Sequence, residues 1–187
     1  APIAIHALPE DLVADVLELA HSLGIHVQIF EGDTVVAEHD CDFFRYYHER
    51  TDLPFRIEPE LRRMRHANIP KVLAYAEPER AVELCPQIQA ALQGRAAVTI
   101  SQPGFIEING VEVSKGAALA QLADLRGVVQ AEVAAIGDST LDLSMIEWAG
   151  YGVAVANSTR EVLKAASIIV PSCQEDGVAD FIERYVL

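Results

Sequence analysis

Two aspartates, Asp138 and Asp142, come shortly after an apolar run. The run, residues 133–136, is typical of a buried parallel strand, and apolar residues recur at helical spacing after the second aspartate. Ligands bind at the carboxyl ends of such strands, because the loops and helix N-termini there present unpaired backbone N–H groups. Two carboxylates in this position predict a site for a hard divalent cation such as Mg²⁺.

A structural interpretation of the same residues is also open. Ser139 and Asp142 have the spacing of a capping box, in which a serine and an acidic residue satisfy the free N–H groups at a helix start. Asp138 has no such local role, since it directly follows a strand and a glycine. The sequence therefore leaves two interpretations for Asp142 and favours a functional one for Asp138.

Alternating strands and helices surround these aspartates. Lys115 stands at the opening of a helix whose leucines repeat at helical spacing, and a lysine there can reach an anion. Downstream, Asn157 follows a short apolar strand, and another strand and a final helix come after it. This alternation predicts an α/β fold with a parallel sheet.

Four motifs in this region resemble those of a known family. They are Ser-Lys-Gly at 114–116, Gly-Asp-x-x-x-Asp at 137–142, Gly-Val-Ala-x-x-Asn at 152–157 and Glu-Asp-Gly-Val at 175–178. Their order and spacing resemble the carboxy-terminal half of the haloacid dehalogenase superfamily, specifically its Cof-type, subclass IIB, sugar-phosphatase-like hydrolases. The resemblance implies an α/β cap domain over residues 1–108 and the carboxy-terminal part of a Rossmann-like parallel-sheet core over residues 109–187.

The resemblance also implies an activity and roles for individual residues. The activity would be Mg²⁺-dependent hydrolysis of a small phosphomonoester, such as a sugar phosphate, through an aspartyl-phosphate. Lys115 would neutralise the nucleophile and the phosphate, Asp138 would ligate Mg²⁺, and Asp142 would hold the metal directly or through water. Ser139 and Asn157 would support the phosphate site.

The catalytic nucleophile of that family has no counterpart in this sequence. The family places it in an Asp-x-Asp-Gly-Thr/Ser run ahead of the cap, and the nearest spelling here is Asp40-Cys-Asp42. That segment follows no apolar strand, so we interpret it as a helix start with acids at the positive end of the dipole. Leu141 also departs from the family, which usually has Asn there. We expect residues 1–187 to be inactive alone, and the competing hypothesis is a non-catalytic remnant that binds phosphate or a protein partner.

The absent nucleophile strand implies a partner. In the family fold that strand pairs with the one corresponding to residues 133–136, so without it an apolar strand keeps unpaired backbone groups on one side. An exposed apolar edge recruits another strand. We expect the edge to be covered by a separate amino-terminal segment of the protein or by a second copy of the chain.

The composition of the chain limits the partners and the cellular location that we expect. The chain has 187 residues, 51% of them hydrophobic, and a net charge of −14, whereas nucleic-acid phosphates demand a basic face. The sequence has no apolar run of bilayer length and no basic-then-apolar leader, so we expect no membrane partner and a cytoplasmic location. Three scattered cysteines argue against a disulfide framework.

A basic cluster and an aromatic pair have two interpretations each. Arg62, Arg63 and Arg65 form either a solvated helix end or a patch that recruits an anionic substrate. The aromatic pair Tyr46 and Tyr47, with the adjacent His48, consists either of half-buried packing residues or of residues that face an active-site cleft.

The amino-terminal region is expected to fold as its own domain, with a boundary near residues 104–114. Its predicted elements are a helix that begins at Pro9 and ends at Gly24, a hairpin around Gly32-Asp33, helices near 41–50, 59–66 and 78–93, and strands near 71–76, 96–100 and 105–113.

Overall fold

The chain divides into two compact units, one ending at Val111 and the other running from Glu112 to Leu187. The computed structural model describes residues 4–187. Within that range, no helix has the length and apolar character that crossing a membrane requires.

The first unit is a six-stranded sheet with helices on both faces. The strand order is β3-β2-β1-β4-β6-β5, in which only the β2–β3 pair is parallel. Its elements are α1 (Glu10–Ser22), β1 (His26–Glu31), β2 (Thr34–Ala37), α2 (Asp42–Thr51), β3 (Phe55–Ile57), β4 (Lys71–Tyr75), α3 (Pro78–Ala91), β5 (Ala97–Gln102) and β6 (Phe105–Asn109).

Alternation along the strands separates two cores. Val27 and Ile29 of β1 pack with α1 and α3 on one face, together with side chains of β4 and β6. Phe30 of β1 belongs to the other core, where it meets Phe43 and Phe44 of α2. Because successive side chains of a strand point to opposite faces, a single strand supplies both cores.

The second unit is a three-stranded parallel sheet in the order β7-β8-β9. Phe181 of α7 packs on Val153, Val155 and Val170 on one face, and α5 and α6 pack on the other. The elements are α4 (Lys115–Arg126), β7 (Ala134–Gly137), α5 (Leu143–Trp148), β8 (Tyr151–Val155), α6 (Arg160–Ala165), β9 (Ile168–Val170) and α7 (Gly177–Tyr185). The predicted α/β fold with a parallel sheet is confirmed.

The strand β7 lies at an edge of this sheet. It pairs with β8 over Ala134–Gly137 and, among the residues that the structure describes, with no other strand. Ala134 is exposed, whereas Ala135 is buried. One row of backbone groups on an apolar strand is therefore open to a further strand.

The expected helix over 59–66 is wrong. The segment holds only a three-residue 3-10 turn, Leu61–Arg63, and the preceding strand β3 was missed. Leu61 is fully buried, and the ring of the buried His66 hydrogen-bonds to the Leu61 carbonyl oxygen at 2.7 Å. This long-range packing, together with ion pairs from the arginines, fixes the segment in a non-helical conformation. The strand expected over 105–113 ends at Asn109.

Helix α3 offers a test of the first core. Ile88 is 3% exposed and packs in the core that α1 and α3 share, whereas Val82 on the same helix is 64% exposed. We expect Ile88→Ala to lower the free energy of unfolding by about 3 kcal/mol, since it leaves a cavity. Val82→Ala should change it by less than about 0.5 kcal/mol. Urea denaturation followed by circular dichroism measures both, and equal losses would contradict the packing.

Candidate functional site

The candidate site is built where β7 and β8 end. Asp138 directly follows β7, and Asp142 closes the 3-10 turn Thr140–Asp142 that leads into α5. Two hydrogen bonds join the loop after β8 to this loop: the Thr159 N–H donates to the Asp138 carbonyl at 2.9 Å, and the Ser158 hydroxyl donates to the Gly137 carbonyl at 3.3 Å. The parallel sheet therefore brings both loops to one edge.

Asp142 is the buried acid of the site, with 4% of its surface exposed. Its Oδ2 accepts hydrogen bonds from the N–H groups of Asp138 at 3.1 Å and Ser139 at 3.0 Å, and from the Ser139 hydroxyl at 3.0 Å. Its Oδ1 accepts a hydrogen bond from the ammonium of Lys115. The capping-box interpretation of Ser139 and Asp142 is thus confirmed.

These contacts keep Asp142 ionised. Burial alone would raise the pKa of its carboxyl, but the hydrogen bonds from Lys115, from the Ser139 and Asp138 N–H groups and from the Ser139 hydroxyl outweigh burial and lower the pKa to about 2. Asp142 therefore carries a full negative charge at neutral pH. That charge holds the Lys115 ammonium in place.

A close approach of α4 and α5 brings Lys115 to Asp142. Lys115 is the first residue of α4, and the N–H of Gly116 donates to the Ser144 hydroxyl at 3.0 Å. A Cβ atom on Gly116 would lie 2.4 Å from the Ser144 carbonyl oxygen, so no larger residue fits without movement. Gly137 is constrained in the same way, because its Cβ would lie 2.4 Å from the Cβ of Asp142.

Asp138 differs from Asp142 in having open carboxylate oxygens. Its side chain is exposed and, within residues 4–187, makes no hydrogen bond or ion pair. A hard cation prefers carboxylate oxygens, so Asp138 fits a Mg²⁺ ion better than Asp142 does. The described residues contain no group of three or more acidic, histidine or cysteine side chains placed to hold a metal.

The supporting residues of the sequence prediction are engaged with protein groups. Asn157 lies in the loop after β8, and its Oδ1 accepts a hydrogen bond from the Cys173 N–H at 2.8 Å, which ties it to the loop after β9. The Ser139 hydroxyl donates to Asp142. Sequence reasoning missed Ser144 and Ser158. Neither stands in a motif that points to its contact.

The arginine cluster lies in the first unit and is neutralised by acids. Arg62 makes hydrogen bonds to Glu38 at 2.9 Å and Glu18 at 3.1 Å. Arg63 pairs with its neighbour in sequence Glu60 at 2.7 Å, and Arg65 lies 3.8 Å from Glu10 with 92% of its side chain exposed. The guanidinium groups of Arg62 and Arg63 are thus engaged in ion pairs.

The segment Asp40-Cys-Asp42 begins α2, with Cys41 as its N-cap. Arg45 pairs with Asp40 at 2.9 Å and with Asp42 at 3.0 Å. The interpretation of this segment as a helix start is therefore confirmed.

Comparisons with known proteins support one family. The sequence profile of the haloacid dehalogenase-like hydrolases matches residues 1–182. The putative phosphatase YxeH of Bacillus subtilis is 46% identical over 119 residues, which are 64% of this chain and 44% of YxeH. The chain thus spans less than half the length of that curated relative.

Solved structures give the same result for the fold. The crystal structure of a haloacid dehalogenase-like hydrolase from Bacteroides thetaiotaomicron matches with a TM-score of 0.85 at 30% identity, over 95% of this chain and 67% of that chain. A subclass IIB sugar phosphatase matches with a TM-score of 0.76 at 17% identity, over 96% of this chain and 67% of that one. At 17% identity the second likeness concerns the fold alone.

The ionised carboxylate of Asp142 gives a pH-dependent contribution to stability. Its pKa of about 2 in the folded chain lies below the reference value of 3.8, so the contribution is present above the reference value and is lost as the pH falls through the folded value. Asp142→Asn removes this titration. We expect the difference in unfolding free energy between the parent chain and Asp142→Asn to shrink by about 1 kcal/mol between pH 6 and pH 3.

Urea denaturation at each pH measures that difference. Asp124→Asn is the matched control, because Asp124 is an exposed aspartate on α4. A stability difference for Asp142→Asn that stays constant from pH 6 to pH 3 would contradict the assigned contacts.

Proposed function

Since the chain belongs to the haloacid dehalogenase-like hydrolase family, we propose that it is part of a Mg²⁺-dependent phosphatase acting on a small phosphomonoester such as a sugar phosphate. In this proposal the second unit is the carboxy-terminal part of the catalytic core, and the first unit is a cap of the subclass IIB type. The name of the matched relative YxeH, a putative phosphatase, supports the reaction class.

One observation carries the proposal: a lysine held by a buried carboxylate lies at the strand end that also carries an open carboxylate. The Lys115 ammonium is fixed by Asp142, and Asp138 directly follows β7. Phosphoryl transfer depends on positioning and on neutralising the charge of the phosphoryl oxygens. A lysine and a cation-binding carboxylate at one strand end supply both.

The residues divide the work as follows. Lys115 binds and neutralises the phosphoryl group, and Asp142 positions the lysine by its charge. Asp138 provides a carboxylate ligand for Mg²⁺, and Asp142 supports the metal through the loop that both residues share. Bound Mg²⁺ would polarise the phosphoryl oxygens as a Lewis acid.

The nucleophile is proposed to come from outside residues 1–187. The sequence contains no Asp-x-Asp-Gly-Thr/Ser run, and β7 leaves one edge open next to Asp138. A strand added at that edge would bring its carboxyl end beside Asp138, where a nucleophilic aspartate would complete the metal site. An amino-terminal segment of the protein is the proposed source of this strand, and a second copy of the chain is the alternative.

A second candidate is a non-catalytic protein that binds phosphate or a protein partner. The absent nucleophile run and Leu141, which is 37% exposed beside Asp142, favour it. This candidate predicts that no added segment restores hydrolysis.

An activity assay distinguishes the two candidates. Residues 1–187 with Mg²⁺ should release no phosphate from a panel of sugar phosphates, because a covalent mechanism fails without its nucleophile. The protein extended at its amino terminus by the nucleophile segment should be active. In that longer protein, Asp138→Asn should lower kcat/KM by about 10² to 10³-fold, and the control Asp124→Asn should leave it unchanged.

Two outcomes would contradict the proposal. Substantial turnover by residues 1–187, abolished by Asp138→Asn, would place the nucleophile within this chain. A longer protein without Mg²⁺-dependent hydrolysis would favour the binding function.

The open edge predicts self-association of residues 1–187. An unpaired apolar edge recruits a strand, and a lysine on the edge blocks such pairing. We expect light scattering to detect oligomers of the chain and Ala134→Lys, on β7, to shift them to monomer. Leu125→Lys is the matched control, because Leu125 is exposed on the helix α4 and not on an edge strand of the sheet. A stable monomer of the parent chain would show that the edge does not recruit a strand.

A further inference from the structure

A chain of three side chains links α2 to the sheet of the first unit. The Sγ of Cys41 lies 3.2 Å from the Nδ1 of His26, and the Nε2 of His26 lies 3.1 Å from the Oε1 of Gln28. His26 and Gln28 belong to β1, and Cys41 is the N-cap of α2. The three groups belong to the first unit, whereas the aspartates of the candidate phosphatase site belong to the second.

The hydrogen bonds fix the state of the imidazole. Because the Gln28 Oε1 can only accept, the Nε2 of His26 carries the proton and its Nδ1 lone pair faces the Cys41 thiol. The thiol then donates to Nδ1. A neutral imidazole beside a thiol, oriented by a third polar group, is the arrangement that activates a cysteine nucleophile.

Burial supports this assignment. Burial lowers the pKa of His26, although the hydrogen bond to Gln28 acts in the opposite direction and His39 adds a further lowering. The ring is therefore neutral near pH 7 and able to accept a proton. Other charged or titratable side chains close to it are His21, Glu38 and His39, which line the same cavity.

Gln28 provides an independent sign that the cluster is built for more than packing. It is fully buried, and its Nε2 has no hydrogen-bond partner among the described residues. An unpaired buried donor costs free energy. The residue with this unpaired donor, Gln28, is also the one whose Oε1 orients the ring of His26.

The surroundings of Cys41 give its sulfur a backbone N–H donor and access to a small molecule. The N–H of Phe44 donates to Sγ at 3.4 Å, so the thiol lies at the positive end of the α2 dipole. Cys41 and His26 line a cavity of about 290 Å³, close to the lower end of the range for small-ligand pockets.

The other two cysteines lack this environment. Cys85 donates to the Val98 carbonyl at 3.8 Å, and burial raises the pKa of its thiol. Cys173 is exposed. Within residues 4–187, no histidine lies beside its thiol as His26 lies beside that of Cys41.

We propose that Cys41 is a modification site, whose thiol is activated by His26 and forms a mixed disulfide with a low-molecular-weight disulfide. The thiol proton passes to the Nδ1 of His26 as Sγ attacks one sulfur of the disulfide. The bond from Sγ to that sulfur forms while the bond between the two sulfurs of the reagent breaks. The second sulfur leaves as a thiolate and takes up the proton, so one protein thiol and one disulfide give one mixed disulfide and one free thiol.

Peptide mass spectrometry after reaction with bis(2-hydroxyethyl) disulfide tests the proposal. Cleavage after arginine and lysine places the three cysteines on different peptides, namely residues 1–45, 81–95 and 165–184. We expect the Cys41 peptide to gain the adduct about tenfold faster than the Cys173 peptide. The Cys85 peptide should react slowest.

The variant His26→Phe removes the base and retains a ring next to Phe43 and Phe44, which surround His26. We expect the rate at Cys41 to fall about tenfold and the rate at Cys173 to stay the same. The half-buried Cys85, whose thiol donates to the Val98 carbonyl, reports whether the unit remains folded. If Cys85 becomes reactive, the milder variant His26→Asn provides the same comparison.

Two results would overturn the proposal. One is a Cys41 rate no higher than that of the more exposed Cys173. The other is an unchanged Cys41 rate in a His26 variant whose Cys85 remains protected.

Discussion

The carboxylate of Asp142 connects three segments of the second unit. One oxygen accepts the Lys115 ammonium at the start of α4, and the other accepts the N–H groups of Asp138 and Ser139 after β7. The residue itself leads into α5. A buried carboxylate is tolerated only when its charge is paired and its lone pairs are satisfied, and here both conditions are met. Loss of any one donor would leave part of that charge uncompensated.

Two glycines, Gly116 and Gly137, allow the close approach of the segments that Asp142 connects. Gly137 and Gly116 leave no room for a Cβ atom, because the Asp142 side chain and the Ser144 carbonyl occupy that space. Close approach of backbone and side chain thus sets the distance between α4 and the loop after β7. The Lys115–Asp142 ion pair therefore depends on the close packing at Gly116 and Gly137. Residues from motifs that are separate in the sequence thus form one contact.

The sequence predicted the second unit better than the first, for a physical reason. In the second unit, short parallel strands alternate with helices, and the acids stand within a few residues of the strand that positions them. In the first unit, long-range contacts decide local structure. The segment 59–66 is held by the burial of Leu61 and by an ion pair from Arg62 to Glu38, which lies 24 residues earlier. No local pattern encodes such a contact.

The same limit applies to the sites. Lys115 and Asp142 were predicted because they stand in spaced motifs, although the carboxylate of Asp142 proved to be occupied by protein donors. Cys41 and His26 stand 15 residues apart on different elements, so only the pairing of β1 with its neighbours and the packing of α2 bring them together. A sequence search for metal or nucleophile spacing rejects these residues, since it tests neighbours along the chain.

The two units also differ in how completely their sheets are paired. The first unit has six strands and a large core on one face. The second has three strands, and exposed apolar side chains lie on α4, β8 and β9, among them Leu125 at 60%, Tyr151 at 52% and Ile169 at 57%. Apolar surface that stays in water contributes none of the stabilising free energy, about 25 cal/mol per Å², that its burial would give. An added strand at β7 would stabilise the sheet by pairing the open backbone groups of that edge, whereas Ile169 on the opposite edge strand would stay exposed.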